Sequence, residues 1–226
     1  GRQHAGADRA EPRHRRRRAL TRRSGASAMR TLLVATGSAH KLVELQRLFA
    51  DLPLTLVTLR DLKITEEAPE SGETFEENAL QKAHFYAAAS GEWTLADDSG
   101  LEVDALNAAP GVYTRRYAGP DATDQQNYEK LLHELRGIPA ELRSARFVCC
   151  MALVDPTPGA LPPRTFRGER RGHITEAPRG ASGFGYDPIF EVDGRTMAER
   201  TAEEKDQLSH RGAAAALVAA ALRAEG

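Results

Sequence analysis

Short apolar runs alternate with stretches of helical periodicity from residue 31 onward, and this alternation restricts the fold more than any other feature of the sequence. An apolar run at 31–35 leads into a turn, after which leucines recur at helical spacing over 42–48. Further strands are expected over 54–59 and 93–96. Strands that are separated by helices along the chain are typical of an α/β fold.

The starts of two helices are marked by Thr-x-x-Glu capping boxes at 74–77 and 201–204. The first of these helices is expected to run to about residue 89. Two more helices are expected over 124–135 and, at the end of the chain, over 213–224.

Strand signals follow one another in the second half of the chain. A strongly apolar strand is expected over 146–154 and a polar, glycine-interrupted one over 164–176, with a loop or hairpin tip at 156–163 between them. The segment 180–188 contains too many glycines for either regular element. Because strands first alternate with helices and then cluster, the sequence predicts an α/β fold with a mixed sheet rather than a purely parallel one.

The 226-residue chain is long enough for one α/β domain or two small lobes, and its formal net charge is −1. That value conceals an asymmetry. Residues 1–28 hold nine arginines and two acidic residues, which gives them a net charge of +7, and the remaining residues have a net charge of −8. Residues 1–28 are expected to form a disordered Arg-rich extension, and residues 29–226 the folded domain. The extension has three open interpretations: a basic arm that touches nucleic acid, an organelle-targeting peptide, or an upstream extension of a gene whose natural start is Met29.

Several classes of protein are excluded by composition. The sequence has no run of about 18 apolar residues, so no transmembrane helix is expected, and its beginning lacks the apolar core of a secretory signal. Cys149 and Cys150 cannot supply a disulfide framework, and as neighbours in a strand they would point to opposite faces. We therefore expect a reduced, cytoplasmic enzyme or binding domain that has no membrane partner.

The segment 36–41 is the first candidate for chemistry. It follows a predicted strand and leads into a helix, an arrangement that directs backbone N–H groups and the positive end of the helix dipole at a phosphate. Lys41 adds a full positive charge. An ordinary strand-to-helix turn with a solvated lysine is the alternative, and the spacing of a P-loop is absent.

Two acidic regions are further candidates for chemistry. Glu70 belongs to a cluster of glutamates near a predicted helix start, where Asn78 and Lys82 share one helix face. Complementing the helix dipole is the alternative role for these acids. Asp97 and Asp98 follow a predicted strand, and ligands of α/β sheets gather at the carboxyl ends of strands. Mg²⁺ accepts one or two carboxylates together with phosphate oxygens, and such a carboxylate can also take a proton from water.

Aromatic and cationic residues in the last third of the chain complete the set. Phe184 stands between glycines, which suits stacking on a flat base, and Asp187 could accept from ring N–H groups, although a glycine-rich connector is the alternative. Lys205 and Arg211 place cations at a helix entrance. Together these candidates supply a phosphate-binding turn, carboxylates for a metal ion, an aromatic ring on which a base can stack, and cations. This set indicates a site for a nucleoside triphosphate.

Six motifs occur in the order in which a known family carries them. They lie at residues 35–41, 72–79, 96–101, 110–117, 183–188 and 209–212. On these motifs the chain, from about residue 31 to residue 222, resembles the inosine/xanthosine triphosphate pyrophosphatases, which remove aberrant purine nucleotides.

The resemblance implies hydrolysis of the α–β phosphoanhydride of ITP, dITP or XTP to the monophosphate and pyrophosphate, with Mg²⁺ as cofactor and a homodimer as the assembly. It also implies a strongly twisted sheet in two lobes, with the active-site cleft between them. Asp98 is the implied catalytic proton acceptor and, with Glu70, the implied metal ligand. The implied substrate-binding residues are Thr36, Gly37, Ser38, Ala39, His40, Lys41, Lys82, Ser99, Phe184, Gly185, Tyr186, Asp187, Lys205, His210 and Arg211.

Ser38 departs from the family, which usually has Asn at this position. Serine keeps a donor and an acceptor but lacks the reach of the amide, so altered phosphate affinity is expected rather than lost activity. Two rival functions stay open: a pyrophosphatase for another modified base, and a nucleic-acid-binding protein that uses the basic arm. The folded domain, at −8, would repel a phosphate backbone, so nucleic acid is not expected as its partner.

Overall fold

The computed structural model describes residues 30–224. The expectations for the Arg-rich extension and for Met29 lie outside the described residues.

Residues 30–224 form seven strands and five α-helices. The strands are β1 (Arg30–Ala35), β2 (Leu54–Thr58), β3 (Trp93–Val103), β4 (Ser144–Val154), β5 (Arg164–Ile174), β6 (Phe190–Val192) and β7 (Arg195–Thr196). The helices are α1 (Ala39–Leu48), α2 (Phe75–Ser90), α3 (Asp124–Glu134), α4 (Ala202–Leu208) and α5 (His210–Arg223).

The strands form one mixed sheet in the order β2-β1-β3-β4-β5-β6-β7. The pairs of β1 with β2 and with β3 are parallel, and all pairs from β3 through β7 are antiparallel. The mixed sheet with flanking helices is therefore confirmed. Residues 156–163 connect two antiparallel neighbours, as expected for a hairpin tip.

Side-chain caps set the helix starts that the sequence predicted. Thr74 and Thr201 both form complete capping boxes, at the starts of α2 and α4. The predicted start of α5 at residue 213 is wrong, because Ser209 accepts a hydrogen bond from the Gly212 N–H and the helix begins at His210. The chain enters α5 directly against β5, where a Cβ on Gly168 would lie 2.2 Å from the His210 carbonyl oxygen.

The predicted end of β3 at residue 96 is also wrong. Only the parallel pairing with β1 ends there, at the pair Ala35–Ala96, whereas the antiparallel pairing with β4 continues to Val103. The carboxylates of Asp97 and Asp98, which the sequence suggested as the polar end of a strand, lie in the middle of an 11-residue strand.

Three apolar clusters hold the sheet between its helices. One packs α1 and α5 on one face of the sheet, and a second packs α2 on the opposite face, with Cys149 in the first cluster and Cys150 in the second, as predicted. The third cluster joins the far end of β3 and the start of β4 to α3 and β6. Among residues 30–224, no helix is long and apolar enough to cross a membrane.

Candidate active site

The end of β1 leaves a short open edge on β3, between Ala96 and the bridge from Glu102 to Pro110. Beyond Ala96, β3 is paired with β4 on one side, and on the other side β1 has given way to the turn at 36–38 that enters α1. Side chains from both faces of the sheet can reach this gap, because successive residues of β3 alternate between the faces. The gap is the point where most of the predicted site residues meet.

Asp97 and Asp98 point to opposite faces of the sheet, and each has its own cation. Asp97 Oδ2 accepts from Lys41 Nζ at 2.9 Å, on the face covered by α1 and α5. Asp98 Oδ1 accepts from Lys82 Nζ at 3.0 Å, on the face covered by α2. The two neighbouring carboxylates therefore form two separate ion pairs rather than one acidic pair.

The carboxylate of Asp97 is held ionised. Burial alone would raise its pKa, but Lys41 and Arg211 outweigh burial and hold the pKa of Asp97 well below its usual range. Arg211 Nη2 lies 3.6 Å from Asp97 Oδ2 and donates to Ser99 Oγ at 2.9 Å. Asp97, Lys41, Ser99 and Arg211 thus form one contiguous group.

Asp98 has a different electrostatic environment. Burial raises the pKa of Asp98, and Lys82 opposes that increase only in part. Asn78 Nδ2 donates to Asp98 Oδ2 at 3.1 Å and so fixes the second carboxylate oxygen. Glu70 Oε1 lies 3.5 Å from Lys82 Nζ, which brings the exposed Glu70 to the same cation.

The phosphate cradle predicted at 36–41 has the geometry of a capped helix start. Ser38 is the N-cap of α1, and its Oγ accepts from the Lys41 N–H at 3.4 Å. The Ser38 N–H donates to Thr36 Oγ1 at 3.2 Å, which fixes the turn, while Gly37 and Ala39 are exposed. The first N–H groups of a helix have no acceptor within the helix and can bind an anion.

The Phe184 segment is shaped by its glycines and by Asp187. Gly183 has a φ of +83°, and a Cβ there would lie 2.1 Å from Asp187 Oδ2. That oxygen accepts from the Phe184 N–H at 3.0 Å and from Lys205 Nζ at 2.6 Å. Gly185, with a φ of +62°, donates its N–H to Asp124 Oδ2 at 2.7 Å. This hydrogen bond connects the Phe184 segment to the first residue of α3.

The ring of Phe184 lies beside the phosphate cradle. Its centroid is 5.1 Å from that of the His40 imidazole, with 13° between the planes, and Lys205 and Arg211 also lie over it. The structure therefore brings Phe184, His40, Lys205 and Arg211 together.

Two predicted substrate-binding side chains, those of Tyr186 and His210, are buried and have contacts in the core. Tyr186 is buried, and its hydroxyl donates to the Thr114 carbonyl oxygen at 2.9 Å. The His210 ring stacks on Phe147 at 4.7 Å, and burial together with Arg211 lowers its pKa well below the usual range. A neutral, buried imidazole supports the start of α5 rather than adding a cation to the site.

The family model of the Ham1 family matches residues 32–221. The chain belongs to the Ham1 family. The match spans every site residue described above and leaves the Arg-rich extension outside.

Individual Ham1-type relatives are similar over nearly their whole length. A protein of Yersinia pseudotuberculosis named dITP/XTP pyrophosphatase is 48% identical over 201 residues, which are 86% of this chain and 99% of that protein. A Geobacter sulfurreducens protein of the same name is 49% identical over 192 residues, 84% of this chain and 95% of that protein. A solved HAM1 protein from Coxiella burnetii superposes with a TM-score of 0.79 at 40% identity, over 86% of this chain and 99% of that chain.

Glu44 is a residue of the site that sequence reasoning missed. It is buried in α1, where Oε2 accepts from Arg211 Nη1 at 2.6 Å and Oε1 lies 3.4 Å from Lys205 Nζ. One signal was available, since helical spacing puts Glu44 on the same stripe as Lys41, Leu45 and Leu48. Asn78 was noted only as sharing a helix face with Lys82, and its contact with Asp98 was not foreseen.

We expect Glu44→Ala to destabilise this Ham1-family chain by about 3–5 kcal/mol, because it leaves two buried cations without a shared partner. Urea unfolding monitored by circular dichroism measures the change. The matched control is Glu169→Ala, which removes the partner of an exposed Arg167 at 2.7 Å and should cost about 1 kcal/mol or less. Equal costs for the two variants would contradict the structural importance of Glu44.

Proposed function

We propose that this chain hydrolyses non-standard purine nucleoside triphosphates, such as dITP, XTP and ITP, to the monophosphate and pyrophosphate. The observation that carries the proposal is the gathering of Lys41, Lys82 and Arg211 around two buried carboxylates, in a gap next to the capped start of α1. A triphosphate carries about four negative charges, so its hydrolysis depends mainly on charge neutralisation and orientation. Two relatives that are similar over nearly their full length are named dITP/XTP pyrophosphatase, which supports a non-standard purine as the base of the substrate.

In this proposal Asp98 accepts the proton of the attacking water. The water oxygen forms a bond to the α-phosphorus while the bond from that phosphorus to the α–β bridging oxygen breaks. Pyrophosphate leaves with the electron pair of the broken bond, and the water proton passes to Asp98. Hydrogen bonds from Asn78 and Lys82 hold the carboxylate in place for this step.

The donor set on the α2 face fits Mg²⁺. Glu70 and Asp98 already share one cation, since Lys82 Nζ lies 3.5 Å from the first and 3.0 Å from the second. Mg²⁺ commonly takes one or two carboxylates together with phosphate oxygens of the substrate, so two carboxylates are a sufficient protein contribution. Glu70 and Asp98 would hold Mg²⁺, which would supply positive charge and lower the pKa of a bound water.

The base is proposed to stack on Phe184, with its polar edge read by Asp187 and Arg211. Hypoxanthine and xanthine present a keto oxygen, which needs a donor, and a protonated N1, which needs an acceptor. Arg211 is a donor held by Glu44, and Asp187 is an acceptor held by Lys205. Adenine presents an amino group to the Arg211 donor and an unprotonated N1 to the Asp187 acceptor, so its polar edge would complement neither residue.

A homodimer and a cytoplasmic location belong to the same proposal, supported by the resemblance to the family alone. Sedimentation equilibrium of the full chain tests the dimer.

We expect dITP, XTP and ITP to be hydrolysed with a kcat/KM about 10⁴ above that for ATP, because a polar edge that leaves buried groups unpaired is rejected by that order. Pyrophosphate release measures it, with GTP, dUTP and m⁵CTP completing the panel. A higher kcat/KM for dUTP or m⁵CTP would replace the proposed substrates with another modified base. If no nucleotide of the panel released pyrophosphate, the proposed enzymatic activity would be refuted.

We expect Asp98→Asn to lower kcat at least about 100-fold, because general bases contribute 10²–10⁴ and an amide cannot take the proton. Nucleotide binding, measured by calorimetry, should persist because Lys41, Arg211 and Phe184 are unchanged. Asp104→Asn is the control, since Asp104 is an exposed carboxylate at the far end of β3. Turnover at the wild-type rate in Asp98→Asn would refute the assignment.

We expect EDTA to abolish pyrophosphate release and added Mg²⁺ to restore it. Glu70→Gln should raise the Mg²⁺ concentration needed for half-maximal rate while the melting temperature stays near that of the wild type, because Glu70 is exposed. A Mg²⁺ requirement that is identical in Glu70→Gln and wild type would remove Glu70 from the metal site.

A further inference from the structure

The His40 and Phe184 rings stack on each other across the site. His40 belongs to the first turn of α1, in the phosphate cradle, and Phe184 belongs to the glycine-flanked segment that precedes β6. Their centroids are 5.1 Å apart and their planes differ by 13°. This contact joins the start of α1 to the Phe184 segment, and a nucleotide bound to both would lie between them.

Cations also lie over the Phe184 ring. Lys205 Nζ is 5.2 Å and Arg211 Cζ is 5.9 Å from the ring centroid. Both side chains are buried and held by carboxylates, Lys205 by Asp187 and Arg211 by Glu44. Neither cation can leave the ring without breaking a buried ion pair.

His40 is held far less firmly. It is exposed, and within residues 30–224 its imidazole takes part in no hydrogen bond or ion pair, so the stack on Phe184 is its one specific contact there. A flat ligand that stacks on the Phe184 ring therefore has to displace only the His40 imidazole, whose movement breaks no hydrogen bond or ion pair among residues 30–224.

We propose that His40 is a gate of the base site: its imidazole covers the Phe184 ring in the free enzyme and must be displaced before a purine can stack there. The inference rests on the proposed function and adds to it a residue that sets substrate affinity. The apparent affinity for the base equals the intrinsic affinity multiplied by the fraction of molecules in which the Phe184 ring is uncovered. Once the base is bound, His40 is already displaced, so the gate acts on KM and leaves kcat unchanged.

The gate separates base binding from phosphate binding. The cradle is built from the backbone at the start of α1 and from Lys41, and neither changes when the imidazole moves. A ligand with a purine must break the ring contact, whereas inorganic tripolyphosphate, which has no base, need not. An aromatic contact of this kind corresponds to about a 2- to 10-fold effect on binding.

The test is His40→Ala, a substitution that keeps a good helix former in α1. We expect KM for dITP and the dissociation constant of the product dIMP to fall about 2- to 10-fold. The kcat for dITP and the inhibition constant of tripolyphosphate should not change. His84→Ala, which removes an exposed histidine from α2, is the matched control and should change none of these values. An unchanged or raised KM in His40→Ala, or an equal shift for tripolyphosphate, would overturn the gate.

A second measurement examines the stack without relying on turnover. In the wild-type protein, the His40 ring protons should show an upfield NMR shift from the Phe184 ring, and this shift should vanish in Phe184→Leu and on addition of dIMP. The absence of the shift in the free wild type would overturn the inference while leaving the proposed function intact. A wild type that hydrolyses no purine triphosphate would refute the proposed function instead, and the dIMP constants and the NMR shift would still decide the gate.

Discussion

The organisation of the site depends on the unequal pairing of β3. Its parallel partner β1 stops at Ala35, whereas its antiparallel partner β4 accompanies it from Thr94 to Val103. The missing length of β1 leaves β3 without a neighbouring strand on that side until Glu102 bridges Pro110, and the turn that replaces β1 supplies a helix start. Because the strand continues through the gap, Asp97 and Asp98 are held by sheet hydrogen bonds yet face opposite sides. One strand thus presents a carboxylate to each face of the sheet, Asp97 beside Lys41 and Asp98 beside Lys82.

Buried charges tie the elements around this gap to one another. The carboxylate of Glu44 in α1 contacts Arg211 of α5 and Lys205 of α4, and Lys205 in turn contacts Asp187 beside Phe184. Each of these groups would be costly to bury alone, so the pairs form only when all four elements are in place. The same network fixes the cations that the proposed reaction needs, whereas His40 lies outside the network and contacts Phe184 by stacking.

Local signals in the sequence predicted local structure well and the ends of elements less well. The capping boxes at Thr74 and Thr201 formed as expected, since a cap depends on residues three apart. The end of β3 was misplaced because its continuation depends on β4, about 50 residues away along the chain. Glu44 was overlooked because a glutamate in a helix is ordinarily exposed, and only its distant partners make burial possible.

The sequence by itself determined the α/β class, the helix caps, the glycine-flanked Phe184 segment and the set of chemical groups required for a nucleoside triphosphate. These depend on residue types and on short spacings. Only the tertiary structure decided which of those groups meet: Asp97 with Lys41, Asp98 with Lys82, and Tyr186 and His210 withdrawn into the core. The physical reason is that charge pairing and burial act through space, between side chains that the order of the sheet brings together.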